Sequence, residues 1–216
     1  MHAYIYNALL NSSIAITALA GLIRFKFIDK VYYPFIILIW LGFLNEALSI
    51  TLAYRVKSNS FNSNIYILLE YLLILLQFRK WENNPPAIFY FCLTSGFFVW
   101  ILDDLILHSL RDNNSIFRIY YSFVIIFFSI NQVNKIIIYE KGVLLKNAVF
   151  LICISFLMYY SCKTFVEIFN AFHLGLSNEF NRNIFMIMYV ANLLSNIIYT
   201  LAILCMPPKQ EFSMPY

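Results

Sequence analysis

The stretch YILLEYLLILL, Tyr66 to Leu76, is built of leucine, isoleucine and tyrosine around a single carboxylate, Glu70. A second stretch, FLNEALSI from Phe43 to Ile50, sets Glu46 in similar surroundings. The apolar runs that hold them are continuous, whereas strands of a membrane barrel alternate between lipid-facing and lumen-facing residues, so the pattern selects helix. About 18 or more such residues in helical form cross a hydrocarbon core of roughly 30 Å. An ionisable group inside one needs a partner or a cavity.

The rest of the chain has the same character. Of 216 residues, 62% are hydrophobic and 12% charged, with 22 Phe, 16 Tyr and a mean hydropathy of +0.73. That much apolar surface exceeds what one aqueous core can bury. Seven runs stand out: Tyr4 to Leu22, Tyr32 to Tyr54, Ile65 to Phe78, Ala87 to Leu107, Ile116 to Ile138, Leu144 to Phe169 and Ile184 to Met206. Pro207 and Pro208 stop the last. The connectors, such as RKWENNPP and HSLRDNNS, carry turn residues and are too short for a second domain. The expected fold is an all-α polytopic membrane protein, a single seven-transmembrane-helix bundle over residues 1–206 with a short cytoplasmic tail at 207–216. ITALAG in the first run resembles a signal-peptide cleavage site, but MHAY before it lacks positive charge, so helix one is expected to stay in the mature protein. No internal repeat is evident, which disfavours transporter folds built from two related halves.

Charge bias predicts the orientation. One side carries nine basic residues (Arg24, Lys26, Lys30, Arg79, Lys80, Lys135, Lys141, Lys146 and Lys209) and the other six (Arg55, Lys57, Arg111, Arg118, Lys163 and Arg182). The positive-inside rule then places the N-terminus outside and the C-terminus in the cytoplasm of a cell membrane, a bacterial inner membrane in this reading. The net charge of +4 is accounted for by this bias and by anionic lipid, so the bilayer is the expected partner and nucleic acid is not. Cys92, Cys153, Cys162 and Cys205 form no CxxC pair and read as packing residues.

Depth groups the polar residues. Glu46 lies about eight residues, or roughly 12 Å of helix, from the outer end of the second run, and Glu70 lies at a similar level below the outer start of the third. Asp103, Asp104, Lys163 and Glu167 reach the same outer half, and Asn192 and Asn196 bring the seventh run to mid-membrane. Gly42, Glu46, Ser49 and Ala53 share one helical stripe; Ser63, Tyr66, Glu70 and Gln77 share another; Tyr189, Asn192, Ser195, Asn196 and Tyr199 share a third. Facing one another, these stripes would form a hydrated pocket open to the outer side. Glu46, Tyr66, Glu70, Asp103, Asp104, Lys163, Glu167, Asn192 and Asn196 are its candidate ligand-binding residues. Lys163 could pair with Glu46, Glu70 or Glu167, and its i,i+4 relation to Glu167 makes a local pair the simplest arrangement. The alternative is that these groups are only interhelical hydrogen bonds or reach headgroup water.

An enzymatic reading rests on DDLILH, which spaces Asp104 and His108 at i,i+4, with His173 on the same outer side. A carboxylate and two imidazoles can hold Zn²⁺ with a position left for water. No HExxH, phosphate loop or nucleophile elbow accompanies them, and no cofactor is expected.

NSNIYILLEYLLILL at Asn62 to Leu76 and NLLSNIIYTLAILCMPPK at Asn192 to Lys209 resemble segments of the small, uncharacterised seven-helix membrane proteins frequent in Bacteroidota. The resemblance implies the fold and carries no activity. Three functions follow from the residues: a receptor-like or accessory sensory protein that binds a small ligand and signals through a partner, a small-solute or proton-coupled transporter using Glu46 and Glu70, and a metal-dependent hydrolase at the outer rim.

Overall fold

The computed structural model describes residues 13–56, 59–81, 86–112, 114–139, 142–172 and 178–209. Among them the chain is helical, with seven α-helices and no strand: α1 (Ile14–Arg24), α2 (Tyr33–Val56), α3 (Ser60–Trp81), α4 (Pro86–Ile101), α5 (Ile116–Tyr139), α6 (Ala148–Phe172) and α7 (Asn178–Cys205). Among the described residues, six helical segments are long and apolar enough to cross a membrane, and α1 is a shorter apolar helix. The chain is a multi-pass membrane protein. The sequence-predicted start of the first run, Tyr4 to Ser12, lies outside the described residues.

Several boundaries differ from the apolar runs because polar residues continue a helix past its hydrophobic centre. α3 extends over SFNSN and QFRKW, and α7 begins at Asn178, six residues before Ile184. α6 starts later than Leu144. Leu144–Lys146 form a 3-10 turn, and the Asn147 side chain accepts from the Phe150 amide at 3.0 Å, capping the helix. α4 opens on Pro86, where a missing amide is harmless, and passes at its far end into a π-turn over Leu102–Leu107.

The helices form a ring in which α1 lies between α7 and α2, α3 packs on α2, and α6 lies between α5 and α7. α4 leans on α3 and α5 from outside. Its closest approach depends on Gly96, where a Cβ would meet Tyr71 Cε1 at 2.2 Å, and Tyr71 donates to the Cys92 carbonyl at 2.6 Å. Apolar side chains such as Leu44, Phe91, Phe98, Phe127, Phe165 and Leu201 point outward, as lipid contact requires. The interior is aromatic, with Phe156 in contact with both Phe35 and Phe78 and all three buried.

At one end of the bundle, side chains satisfy helix termini that no neighbouring turn can reach. Gln77 accepts from the Phe35 amide at 2.8 Å and donates to the Val31 carbonyl at 2.9 Å, tying α3 to the start of α2. Arg24 donates to the carbonyls of Ile203, Leu204 and Met206 at the end of α7. Toward the middle, Thr17 on α1 donates to the Asn196 carbonyl and Asn196 donates to Ser13, so small polar groups join α1 to α7.

Candidate functional site

Glu70 lies on α3 facing the bundle interior, 6% exposed. Tyr121 on α5 donates to its Oε2 at 2.7 Å, and Lys163 on α6 reaches the same oxygen at 3.4 Å. Lys163 and Tyr121 are also in hydrogen-bond contact. The Lys163 ammonium stands 4.9 Å from the centroid of the Tyr121 ring, 5.6 Å from Tyr159 and 5.7 Å from Tyr160. One carboxylate and three aromatic faces therefore hold one cation. Each element of that cage offsets part of the several kcal/mol needed to strip a charge of water.

A second charged layer lies on the same helix faces, toward the Ser60 end. Arg118, three residues before Tyr121, donates to Ser63 and to Asn64, both at 2.9 Å, and approaches Glu167 at 3.6 Å. Glu167, four residues after Lys163, accepts from Ser115 at 2.8 Å. The local pairing expected for Lys163 and Glu167 gives way to two cross-bundle pairs, Lys163 with Glu70 and Arg118 with Glu167. Facing side chains on α3, α5 and α6 come closer in space than spacing along one helix suggests.

On the other side of Glu70 is a cavity of about 70 Å³. Glu70 and Tyr66 supply one wall, Tyr159 and Tyr160 another, and Asn192, Ser195, Asn196 and Tyr199 a third. The polar stripes of α3 and α7 thus converge, joined by α6. Ser195 is 1% exposed, and its Oγ is buried without a hydrogen-bond partner. The volume suits a few waters or a molecule of a few heavy atoms, being about half that of an apolar cavity that admits benzene, roughly 150 Å³. Glu46 is half-buried on α2 and does not line this cavity; Gly42 of its stripe packs against the Tyr66 hydroxyl.

Asp103 and Asp104 stand apart from the cavity and organise the connection to α5. Asp103 accepts from the Phe117 amide at 2.8 Å, capping α5, and its other oxygen meets His108 Nδ1 at 3.0 Å. Asp104 accepts from Asn114 at 2.8 Å. The expected Asp104 and His108 alignment is replaced because the π-turn bonds the His108 amide to the Asp103 carbonyl, five residues back, and swings the imidazole to Asp103. His173 lies outside the described residues, and among the described residues no three His, Cys, Asp or Glu side chains converge as a metal site. Arg118, Tyr121 and Asn64 were not among the expected site residues. Their signal is the shared face of Arg118, Tyr121 and Ser122 at i, i+3 and i+4.

Comparison of the chain with protein-family profiles, curated proteins and solved structures gave no match.

Proposed function

We propose that the chain is a receptor-like membrane protein that takes a small polar or cationic ligand into the cavity beside Glu70 and passes the resulting change in helix packing to a partner protein. The observation that carries the reading is the combination, among the residues lining one small cavity, of the Glu70 carboxylate with the polar side chains of Tyr66, Asn192 and Asn196 and with Ser195, whose hydroxyl has no partner. With the N-terminus outside, as the basic residues favour, the ligand would come from the external face of a bacterial inner membrane. Orphan polar groups inside a membrane protein are costly and belong where a ligand or water can meet them.

Binding is favoured over passage by what lies beyond the cavity. Phe156 on its wall packs against Phe35 and Phe78, with ring centroids 6.4 and 6.1 Å away, and each of the three is 1% exposed or less, so tight aromatic packing adjoins the cavity there. The second reading, a proton-coupled carrier, is favoured by the hydrogen-bonded chain of Glu70, Tyr121 and Lys163, which has the composition of a proton relay.

Thermal unfolding of the purified protein across a panel of small polar solutes tests the first reading, because a ligand specific to the folded state raises its stability by mass action. A solute that stabilises wild type and leaves Glu70→Gln unchanged supports it. Saturable uptake into proteoliposomes that is lost in Glu70→Gln would replace it with the carrier.

A further inference from the structure

We infer that the ligand of this cavity is a small monovalent cation of the ammonium class, and that Lys163 is its tethered competitor; the inference rests on the binding reading above. Lys163 Nζ already shows what the site holds, a cation 3.4 Å from Glu70 Oε2 and facing the rings of Tyr121, Tyr159 and Tyr160. Three of those four groups, Glu70, Tyr159 and Tyr160, also line the cavity, which Lys163 does not. A cation entering the cavity therefore meets the same carboxylate and two of the same rings. Tyr66 and Tyr199 add aromatic surface, and the lone pairs of Ser195 Oγ are unused.

Other ligand classes fit less well. An anion would face Glu70 directly, and an apolar molecule would leave Ser195 unpaired. A divalent metal ordinarily takes several hard oxygen ligands, while Glu70 is the single acid on the described wall. The volume of about 70 Å³ suits a cation of the size of methylammonium better than bulky quaternary ammonium ions.

Exchange follows from the geometry. An incoming cation on Glu70 neutralises the charge that holds Lys163, and the flexible lysine stem lets its ammonium swing along α6 toward Glu167, four residues on. Glu167 at present meets Arg118 at 3.6 Å. Ligand entry thus trades an α3 to α6 link for a rearranged charge layer at the Ser60 end, a packing change that a partner could read.

The test is thermal unfolding of wild type, Lys163→Gln and the double variant Glu70→Gln/Lys163→Gln in methylammonium chloride, with tetramethylammonium chloride at equal ionic strength as reference. Removing the tethered competitor should make Lys163→Gln respond saturably to methylammonium by about 3 °C or more. The double variant should be indifferent and wild type should respond only at higher concentration. Equal responses of the single and double variants, or none in Lys163→Gln, overturn the cation assignment. Should Lys163→Gln fold only with help, its recovery when purified throughout in methylammonium supports the assignment, and failure to recover while the double variant folds overturns it. A neutral solute that stabilises wild type through Glu70, with no methylammonium response in Lys163→Gln, would remove the cation assignment and leave the binding reading standing. No response of any protein to any solute would remove both.

Discussion

Lys163 Nζ and Glu70 Oε2 stand 3.4 Å apart across the bundle, on α6 and α3, with side chains 9% and 8% exposed. Pairs so buried return little net stability compared with apolar packing, yet breaking one by removing a single partner is severe, at about 3 to 5 kcal/mol. Lys163→Gln should therefore destabilise strongly, since it leaves Glu70 with only Tyr121 and its cavity neighbours. The double variant Glu70→Gln/Lys163→Gln should recover most of that loss. Unfolding of the four proteins in one detergent closes the cycle, and additive effects would show that the pair is not coupled.

Gly96 and Tyr71 make the second prediction. A Cβ at position 96 would lie 2.2 Å from Tyr71 Cε1 and 2.7 Å from its hydroxyl oxygen, and that ring is fully buried. Gly96→Ala should cost about 1 to 3 kcal/mol through overpacking. Combining it with Tyr71→Leu should remove much of the clash, leaving only the cost of the lost ring and of its hydrogen bond to Cys92. If Gly96→Ala unfolds at the wild-type temperature, the α3 and α4 contact is looser than described.

Asp103 and Asp104 are adjacent but should respond in opposite ways. Asp103 caps α5 through the Phe117 amide, so Asp103→Ala should cost about 0.5 to 2 kcal/mol. Asp104 Oδ2 and Asn114 Oδ1 are buried acceptors without a partner, although the same two side chains are joined by a 2.8 Å bond. In Asp104→Asn the new amide can donate to Asn114 Oδ1 while its oxygen keeps the existing bond, so stability should hold or rise. A loss above about 1 kcal/mol would mean that the carboxylate charge at position 104 is itself required.

The legible and illegible parts of this molecule divide on physical grounds. Crossing a membrane constrains length and composition segment by segment, so the runs around Glu70 and Lys163 and the stop at Pro207 can be read along one dimension. Which faces meet is a relation between segments. Arg118, near the start of α5, enters the sequence reading only as one basic residue of the outer side, and only the fold brings it to Glu167 and Asn64. The polar stripes of α3 and α7 do identify Tyr66, Glu70, Asn192, Ser195 and Asn196 as neighbours of one space. Asp104 and His108 are misaligned by a π-turn for which DDLILH carries no evident signal, since one added residue per turn moves the imidazole to Asp103.

Ser195 separates a binding site from a polar seam. Its Oγ is buried and unpartnered, so Ser195→Ala removes an unsatisfied group along with one small atom of volume. In the absence of ligand the variant should be as stable as wild type or more so, because the desolvation penalty of the orphan hydroxyl, about 1 to 3 kcal/mol, disappears. The same change should weaken any solute that uses the hydroxyl, reducing the stabilisation that solute gives without altering the Glu70 and Lys163 pair. Unfolding curves of wild type and Ser195→Ala, with and without methylammonium, read both effects at once. A variant destabilised without ligand yet equally responsive to it would assign Ser195 to helix packing between α6 and α7, where Ser155 already donates to its carbonyl at 3.4 Å.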